Sequence, residues 1–426
     1  MRLAGTFHRD LLIGLALRGA GAVASFALTW MIARIYGPGE VGLFHIGLAS
    51  AMLAGTIVSA GLDIVLVREL GALLAEDRRA DIRATYERCR AATLWLGIPV
   101  ALLLAGLSTP LSRLLEEPRA AIFVALFAPF ALLAPLTKLG NALLRSVGRV
   151  VASQALEGVS YSTIACAVLG LAWALLGGPD PVIPVIAYLT GLAMVFALNT
   201  MLVRATLAGA GEGGTAAIVP RDGWRIAGLQ VVTTGGMWGV LALVTAWLDI
   251  VDAGVFRTAF QVCMVLQLVN AAFAVMAGPH IAKAVAAGDG RAVVRQVASG
   301  GALGVGLCLL PLLVAAIFAT ELLALFGPEF PRAAPTLRVL LAAPMLDVAF
   351  GLTGVSLLMM RADRFVLLHE IVATIAGLAA LVLLLPKLGL LAAAIGVVTT
   401  AAIRALLNAA RFAVETRGML SQAAEE

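Results

Sequence analysis

The sequence predicts an all-α polytopic membrane protein, with twelve transmembrane helices in two six-helix lobes related by a pseudo-twofold axis along the membrane normal. Three observations predict it. First, 61% of the 426 residues are apolar and only 13% charged, against roughly 45–50% and 25% in soluble domains. That is about 260 apolar residues, and a dozen spans of about 20 need roughly 240. A soluble enzyme with one anchor and a large extramembrane domain are both excluded. Second, the apolar runs are continuous and do not alternate over about ten residues, so they read as helices and not as a barrel. Third, short patterns recur at half the chain length. Pro118-Arg119-Ala120-Ala121 returns as Pro331-Arg332-Ala333-Ala334, and Gly42-Leu43-Phe44 is echoed by Gly254-Val255-Phe256. A duplication with an even number of spans per half is a parallel repeat.

Reading apolar runs between charged or Gly/Pro breaks gives spans at about 11–34, 41–67, 92–112, 120–143, 150–176 and 182–204 in the first half. The second half gives 225–248, 253–278, 299–320, 333–359, 365–386 and 389–412. The first run is too long and too plainly flanked by Arg34 to read as a cleavable signal. Residues 1–205 form the N-terminal lobe, 206–223 a Gly-rich cytoplasmic linker, 224–413 the C-terminal lobe and 414–426 a cytoplasmic tail. Alternate loops differ in charge: 21 cations lie on one side and six on the other, with Arg18, Arg257 and Arg404 inside spans. The positive-inside rule places both termini in the cytoplasm. The segment Leu70–Arg90 has an apolar stripe of Leu73, Leu74, Ile82 and Tyr86, which predicts a helix along the cytoplasmic membrane surface.

No feature points to chemical work. There is no GxxxxGK[ST] loop, HExxH or GxSxG, and the four cysteines are widely scattered. The chain reads as a non-enzyme without cofactor or nucleic-acid partner; whether it binds a metal is left open. Two lobes and a flexible link predict a substrate cavity at their interface, opened to each side in turn.

The informative residues are polar groups inside spans, where charge is expensive. Arg18 lies seven residues into span one, and Arg257 about one turn into span eight. His45 sits at the place in span two that matches Arg257 one repeat earlier. An arginine fork suits phosphate oxygens, so these groups predict a phosphate-bearing substrate head; snorkelling is the competing reading for the shallow Arg257 and His45. Gln230 and Asn270, with Gln261 and Gln267, either line a hydrophilic cavity or bond neighbouring helices. Among acids, Glu157, Asp347 and Glu370 lie within spans, Glu157 and Glu370 being 213 residues apart. They either bind a coupling proton or sodium ion, pair with arginines, or are protonated and packed. Most tryptophans lie toward span ends, as interfacial anchors.

The segment Ile32-Ala33-Arg34-Ile35-Tyr36-Gly37-Pro38-Gly39-Glu40-Val41-Gly42-Leu43-Phe44 resembles the join between the first two helices of polysaccharide-exporting flippases. Gly61-Leu62 followed by Val67-Arg68-Glu69-Leu70 resembles the end of their second helix. Leu325-Phe326-Gly327-Pro328-Glu329-Phe330 is similar to their motif before helix ten. The resemblance is to Wzx-type lipid-linked oligosaccharide flippases of the multidrug/oligosaccharidyl-lipid/polysaccharide (MOP) superfamily. It implies a bacterial or archaeal cytoplasmic (inner) membrane protein that flips an undecaprenyl-diphosphate-linked oligosaccharide to the outer leaflet by alternating access. A sodium or proton gradient, or the membrane potential, would drive it. The polymerase and glycosyltransferases of the same pathway would be its partners, besides membrane lipid. In the related lipid II flippases, arginines on helices one, two and eight hold the diphosphate; Arg18 and Arg257 match in helix, while helix two here carries His45. The alternatives are a cation-coupled multidrug efflux transporter of the same superfamily and a membrane-embedded glycan polymerase.

Overall fold

The computed structural model describes residues 2–76, 78–176, 180–209, 214–216 and 224–425. Within its helices the side chains of 2–12, 14, 15, 18, 75, 158–160, 176, 224, 226, 265–276, 279, 280 and 421–425 lie outside the description. Among the described residues every regular element is helical. The chain divides into two compact units, Met1–Thr234 and Gly235–Glu426. The division falls inside a helix, later in the chain than the linker that the sequence suggested as the boundary.

The first unit begins with α1 (Arg2–Tyr36), which ends at Gly37 in a positive-φ conformation open to glycine, with Pro38 starting the next helix. Span two is α2 (Pro38–Ser59) and α3 (Leu62–Ala75), separated by left-handed Ala60 and Gly61. Next come α4 (Arg79–Gly106) and the short α5 (Ser108–Leu114). Span four is α6 (Ala120–Phe127) and α7 (Phe130–Ser146), which part at Ala128-Pro129. Span five is α8 (Val150–Gln154), a π-helical turn at Ala155–Val159, and α9 (Ser160–Leu176). Its two arms are bent by 42°, and a π turn is a recognised cause of such a kink. The unit's last full span is α10 (Ile183–Leu207).

The helices that follow are α11 (Trp224–Trp247), α12 (Ile250–Ala286), α13 (Gly290–Ile317) and α14 (Ala319–Ala324). A 3-10 turn at Phe330–Ala333 leads into α15 (Ala334–Leu340) and α16 (Ala342–Met359). Finally α17 (Asp363–Leu388) and α18 (Leu390–Glu425) meet at Gly389, again at positive φ. Ten of these helices or joined helices are long and apolar enough to cross a membrane, and the bent α8/α9 pair is an eleventh. The eighth expected span lies within the 37 residues of α12. Outward-facing Trp95, Leu102, Leu175, Leu310 and Leu383 are each more than two-thirds exposed, as lipid-facing positions should be. This is a multi-pass membrane protein.

One expectation changes. Leu70–Arg90 is not one surface helix. It breaks between α3 and α4, and of its apolar stripe Leu73, Ile82 and Tyr86 pack into the first unit's core with Leu70 and with Leu139 and Leu143 of α7, Leu74 lying partly buried against them. A stripe suited to a lipid surface suits an intramolecular surface equally well, because both reward the same periodicity. Helix α18 runs on to Glu425, and Thr416 within it is buried, close to Gly290 at the start of α13.

The repeat has a structural counterpart inside each unit. Arg119 is ion-paired with Glu40, and one repeat later Arg332 is paired with Asp252 at 2.8 Å. Each pair ties the first turn of one span to the approach of the span two further on. Their arginines keep 53% and 48% of side-chain exposure, so each should contribute no more than about 1 kcal/mol. Arg119→Ala and Arg332→Ala should therefore each lower the thermal midpoint by only a few degrees, read by light scattering of detergent-solubilised protein.

Close approach matters most where α17 crosses α18. A Cβ on Gly377 would stand 2.6 Å from the Gly396 carbonyl oxygen and closer still to Thr400 Oγ1; one on Gly396 would meet the Gly377 oxygen at 2.8 Å. Small residues at such a crossing let two helix backbones touch, which is how helices associate without a hydrophobic drive in lipid.

Candidate functional site

The Gly377–Gly396 contact fixes which faces of α17 and α18 look at one another. Two turns before Gly377 lies Glu370, and just over two turns after Gly396 lies Arg404. The helices run antiparallel, so these two side chains meet. Arg404 Nη1 donates to Glu370 Oε1 at 3.2 Å and to Oε2 at 3.4 Å. Its Nη2 donates to Oδ1 of Asp347 on α16 at 2.6 Å. Glu370 is 4% exposed, and the side chains of Arg404 and Asp347 keep 27% and 17%. One guanidinium thus bridges two carboxylates from two other helices, and the three groups together carry one net negative charge when all are ionised. Charged groups at membrane depth are costly and are held where they pair with one another in this way.

A polar seam continues from this cluster toward the basic end of the same helices. His369 Nδ1 is hydrogen-bonded to Asn408 Oδ1 at 2.8 Å. One turn further, the Arg411 guanidinium stacks 3.8 Å over the centroid of the Phe365 ring and donates to Glu415 at 2.5 Å. Phe365, His369, Asn408 and Arg411 therefore lie along one α17/α18 interface below Glu370.

In the first unit Glu157 lies within the π-helical turn and accepts from Arg145 Nη1 of α7 at 2.7 Å. Glu157 and Glu370, one repeat apart in sequence, thus each have an arginine partner, but from non-equivalent helices. The sequence expectation singled out Asp347, Glu370 and Glu157 and overlooked Arg404 and Arg145. The available signal was Arg404 itself, a third intramembrane cation.

Of the expected phosphate-binding set, the side chains of Arg257, His45 and Gln230 are described. Arg257 on α12 is half-buried, its Cζ 5.6 Å from the centroid of the Phe260 ring one turn on. His45 is 5% exposed. Its Nδ1 lies 2.9 Å from the Val41 carbonyl oxygen of its own helix, and its ring meets Phe44 edge-on at 5.2 Å. Phe44 in turn belongs to an aromatic cluster with Phe127 and Tyr188. Gln230 is half-buried on α11. The side chains of Arg18 and Asn270 lie outside the described residues, as does that of Gln267. Among the described residues no group of three His, Cys, Asp or Glu side chains is gathered to hold a metal ion.

Two helical units, each built from membrane-crossing helices, one of them with a buried arginine-bridged acid pair, define a polytopic α-helical membrane protein. The solved structures it is similar to carry that fold. One is an inward-facing multidrug resistance MATE family transporter of the MOP superfamily, with a TM-score of 0.74 at 15% identity, covering 96% of this chain and 99% of that one. A second is a MOP superfamily transporter from Pyrococcus furiosus, described as having a reversed polarity of its binding pocket (0.71, 13%, 96% of each chain). A third is a MATE transporter in complex with MaL6 (0.68, 14%, 97% of each). No family model matches the chain, and no curated protein matches it. The fold is therefore that of the MATE and MOP transporters.

Proposed function

We propose that this chain is a cation-coupled exporter that works by alternating access, with the Asp347–Arg404–Glu370 cluster as its coupling element. The observation that carries the reading is the residual negative charge of that cluster inside a fold shared over nearly the whole chain with multidrug transporters. A proton on Glu370, or a monovalent cation on the two carboxylates, would neutralise it and loosen the grip of Arg404 on α17. Such a change biases a packed helix between two arrangements, which is what coupling requires. With the positive-inside rule, both termini face the cytoplasm. The substrate class favoured by this likeness is the organic cations and drugs of multidrug efflux.

A second reading keeps the chain as a flippase of undecaprenyl-diphosphate-linked oligosaccharide. The half-buried Arg257 and the segments 32–44 and 325–330 favour it. One comparison separates the two. In cells stripped of their own efflux pumps, expression should lower ethidium accumulation several-fold, and Glu370→Gln should restore it. Unchanged ethidium, together with a lipid-linked glycan trapped on the inner leaflet when the gene is deleted from its host, would replace the first reading with the second.

A further inference from the structure

In the first unit α4 and α10 both pack along α7. Between them lies a cavity of about 250 Å³. Leu136 of α7 lines it, with Tyr86 of α4 and Phe196 of α10. Three arginines, Arg83, Arg90 and Arg204, line the same small space, with Glu87 as the one acid among the lining residues. Glu87 lies 3.1 Å from Arg90 Nη1, so the lining sets three guanidinium groups against one carboxylate. Arg204 forms no ion pair among the described residues, and the hydroxyl of the buried Tyr86 makes no hydrogen bond among them. Like charges gathered in one concavity repel unless an anion sits among them, and guanidinium forks match phosphate oxygens bidentately.

The cavity also stands at the root of the linker. Leu207 and Ala208, where α10 gives way to it, belong to the lining. A few residues on, Thr215 N–H donates to Asp81 Oδ1 at 2.6 Å, half a turn from Arg83 on α4. Gly214 fits against the same helix so tightly that a Cβ there would come within 2.6 Å of the Asp81 nitrogen, and closer still to the Ala80 carbonyl. Gly214 and Thr215 of the linker are therefore held against α4 beside the arginines.

We propose that this cavity is a phosphate site, separate from any transport pathway, whose ligand bridges α4 and α10 where the linker leaves the first unit. The ligand chemistry is an anionic phosphate ester. It comes either from an anionic phospholipid headgroup, whose chains would run beside Leu136 and Phe196, or from a soluble phosphate. At about 250 Å³ the space is smaller than the roughly 300–1,000 Å³ of drug-sized sites. It suits a headgroup and not an oligosaccharide.

The test is thermal unfolding of the purified full chain in neutral detergent, titrated separately with short-chain phosphatidylglycerol, short-chain phosphatidylcholine and inorganic phosphate, against chloride at matched ionic strength. A saturable rise in the midpoint with phosphatidylglycerol alone assigns the lipid source, and a rise with inorganic phosphate alone assigns the soluble one. A rise with both assigns the phosphate group itself. In each case Arg83→Gln/Arg90→Gln/Arg204→Gln should abolish the rise, and Arg204→Gln alone, at an exposed position, should weaken half-saturation at least tenfold. No saturable rise with either anion, an equal rise with phosphatidylcholine, or a rise that persists unchanged in Arg204→Gln would overturn the proposal, whether or not the triple variant folds.

Discussion

Arg404→Met is expected to destabilise the protein by about 3–4 kcal/mol, the lower part of the range for stripping one partner from a buried ion pair. The lower part applies because the Arg404 side chain keeps 27% of its exposure. The loss arises less from the missing attraction than from what stays behind, two carboxylates from α16 and α17 facing one another with no cation between them. Second-site changes follow from that cause. Arg404→Met with Glu370→Gln and Asp347→Asn should recover most of the stability, because no uncompensated charge remains. It should recover none of the coupling. Unfolding followed by loss of a helical signal in detergent, alongside transport, separates the two effects. If the triple variant were no more stable than Arg404→Met, the cluster would not be acting through its charges.

The second large effect is expected at the helix crossing. Gly377→Leu should push α17 away from α18, since even its Cβ would overlap the Gly396 carbonyl and the Thr400 hydroxyl. Overpacking of a tight contact costs about 1–3 kcal/mol and occasionally more. The upper end is expected here, because the obstruction is backbone, which cannot rotate away. The same displacement would draw Glu370 from Arg404, so transport should fall even in the fraction that folds. Gly239→Leu offers a contrast, because the neighbour of Gly239 is the flexible side chain of Leu378 and not backbone. A milder loss is expected there, measured by the yield of monodisperse protein on gel filtration.

Much of the fold was legible because lipid imposes few solutions. Continuous apolar runs and their charged ends gave the spans, and the offset of 212 or 213 residues gave the two halves. The same offset relates Glu40–Arg119 to Asp252–Arg332, although only the arginine halves of these pairs lay in the repeated motif. Where the reading went astray, the cause was a pattern with two physical uses. The stripe from Leu70 to Tyr86 satisfies a protein core as well as a membrane surface, and only the position of α7 decides between them. The candidate site was half legible. Asp347 and Glu370 stood out as acids in apolar runs, but Arg404 lies 57 and 34 residues from them. Nothing local reports that three helices converge there. His45 was read as the positional counterpart of Arg257, and its ring meets Phe44 edge-on. The cavity between α4 and α10 was illegible in the sequence, since its lining comes from three helices far apart along the chain.

The central claim is that charge neutralisation at Glu370 drives transport, and one measurement tests it most directly. Purified protein is reconstituted into liposomes, and ethidium movement is followed after a proton gradient or a sodium gradient is imposed in separate runs. For the wild-type chain one of the two gradients should accelerate transport at least tenfold over the no-gradient control. In Glu370→Gln the residual rate should be the same with and without that gradient. Gradient-driven transport at the wild-type rate in Glu370→Gln would contradict the account.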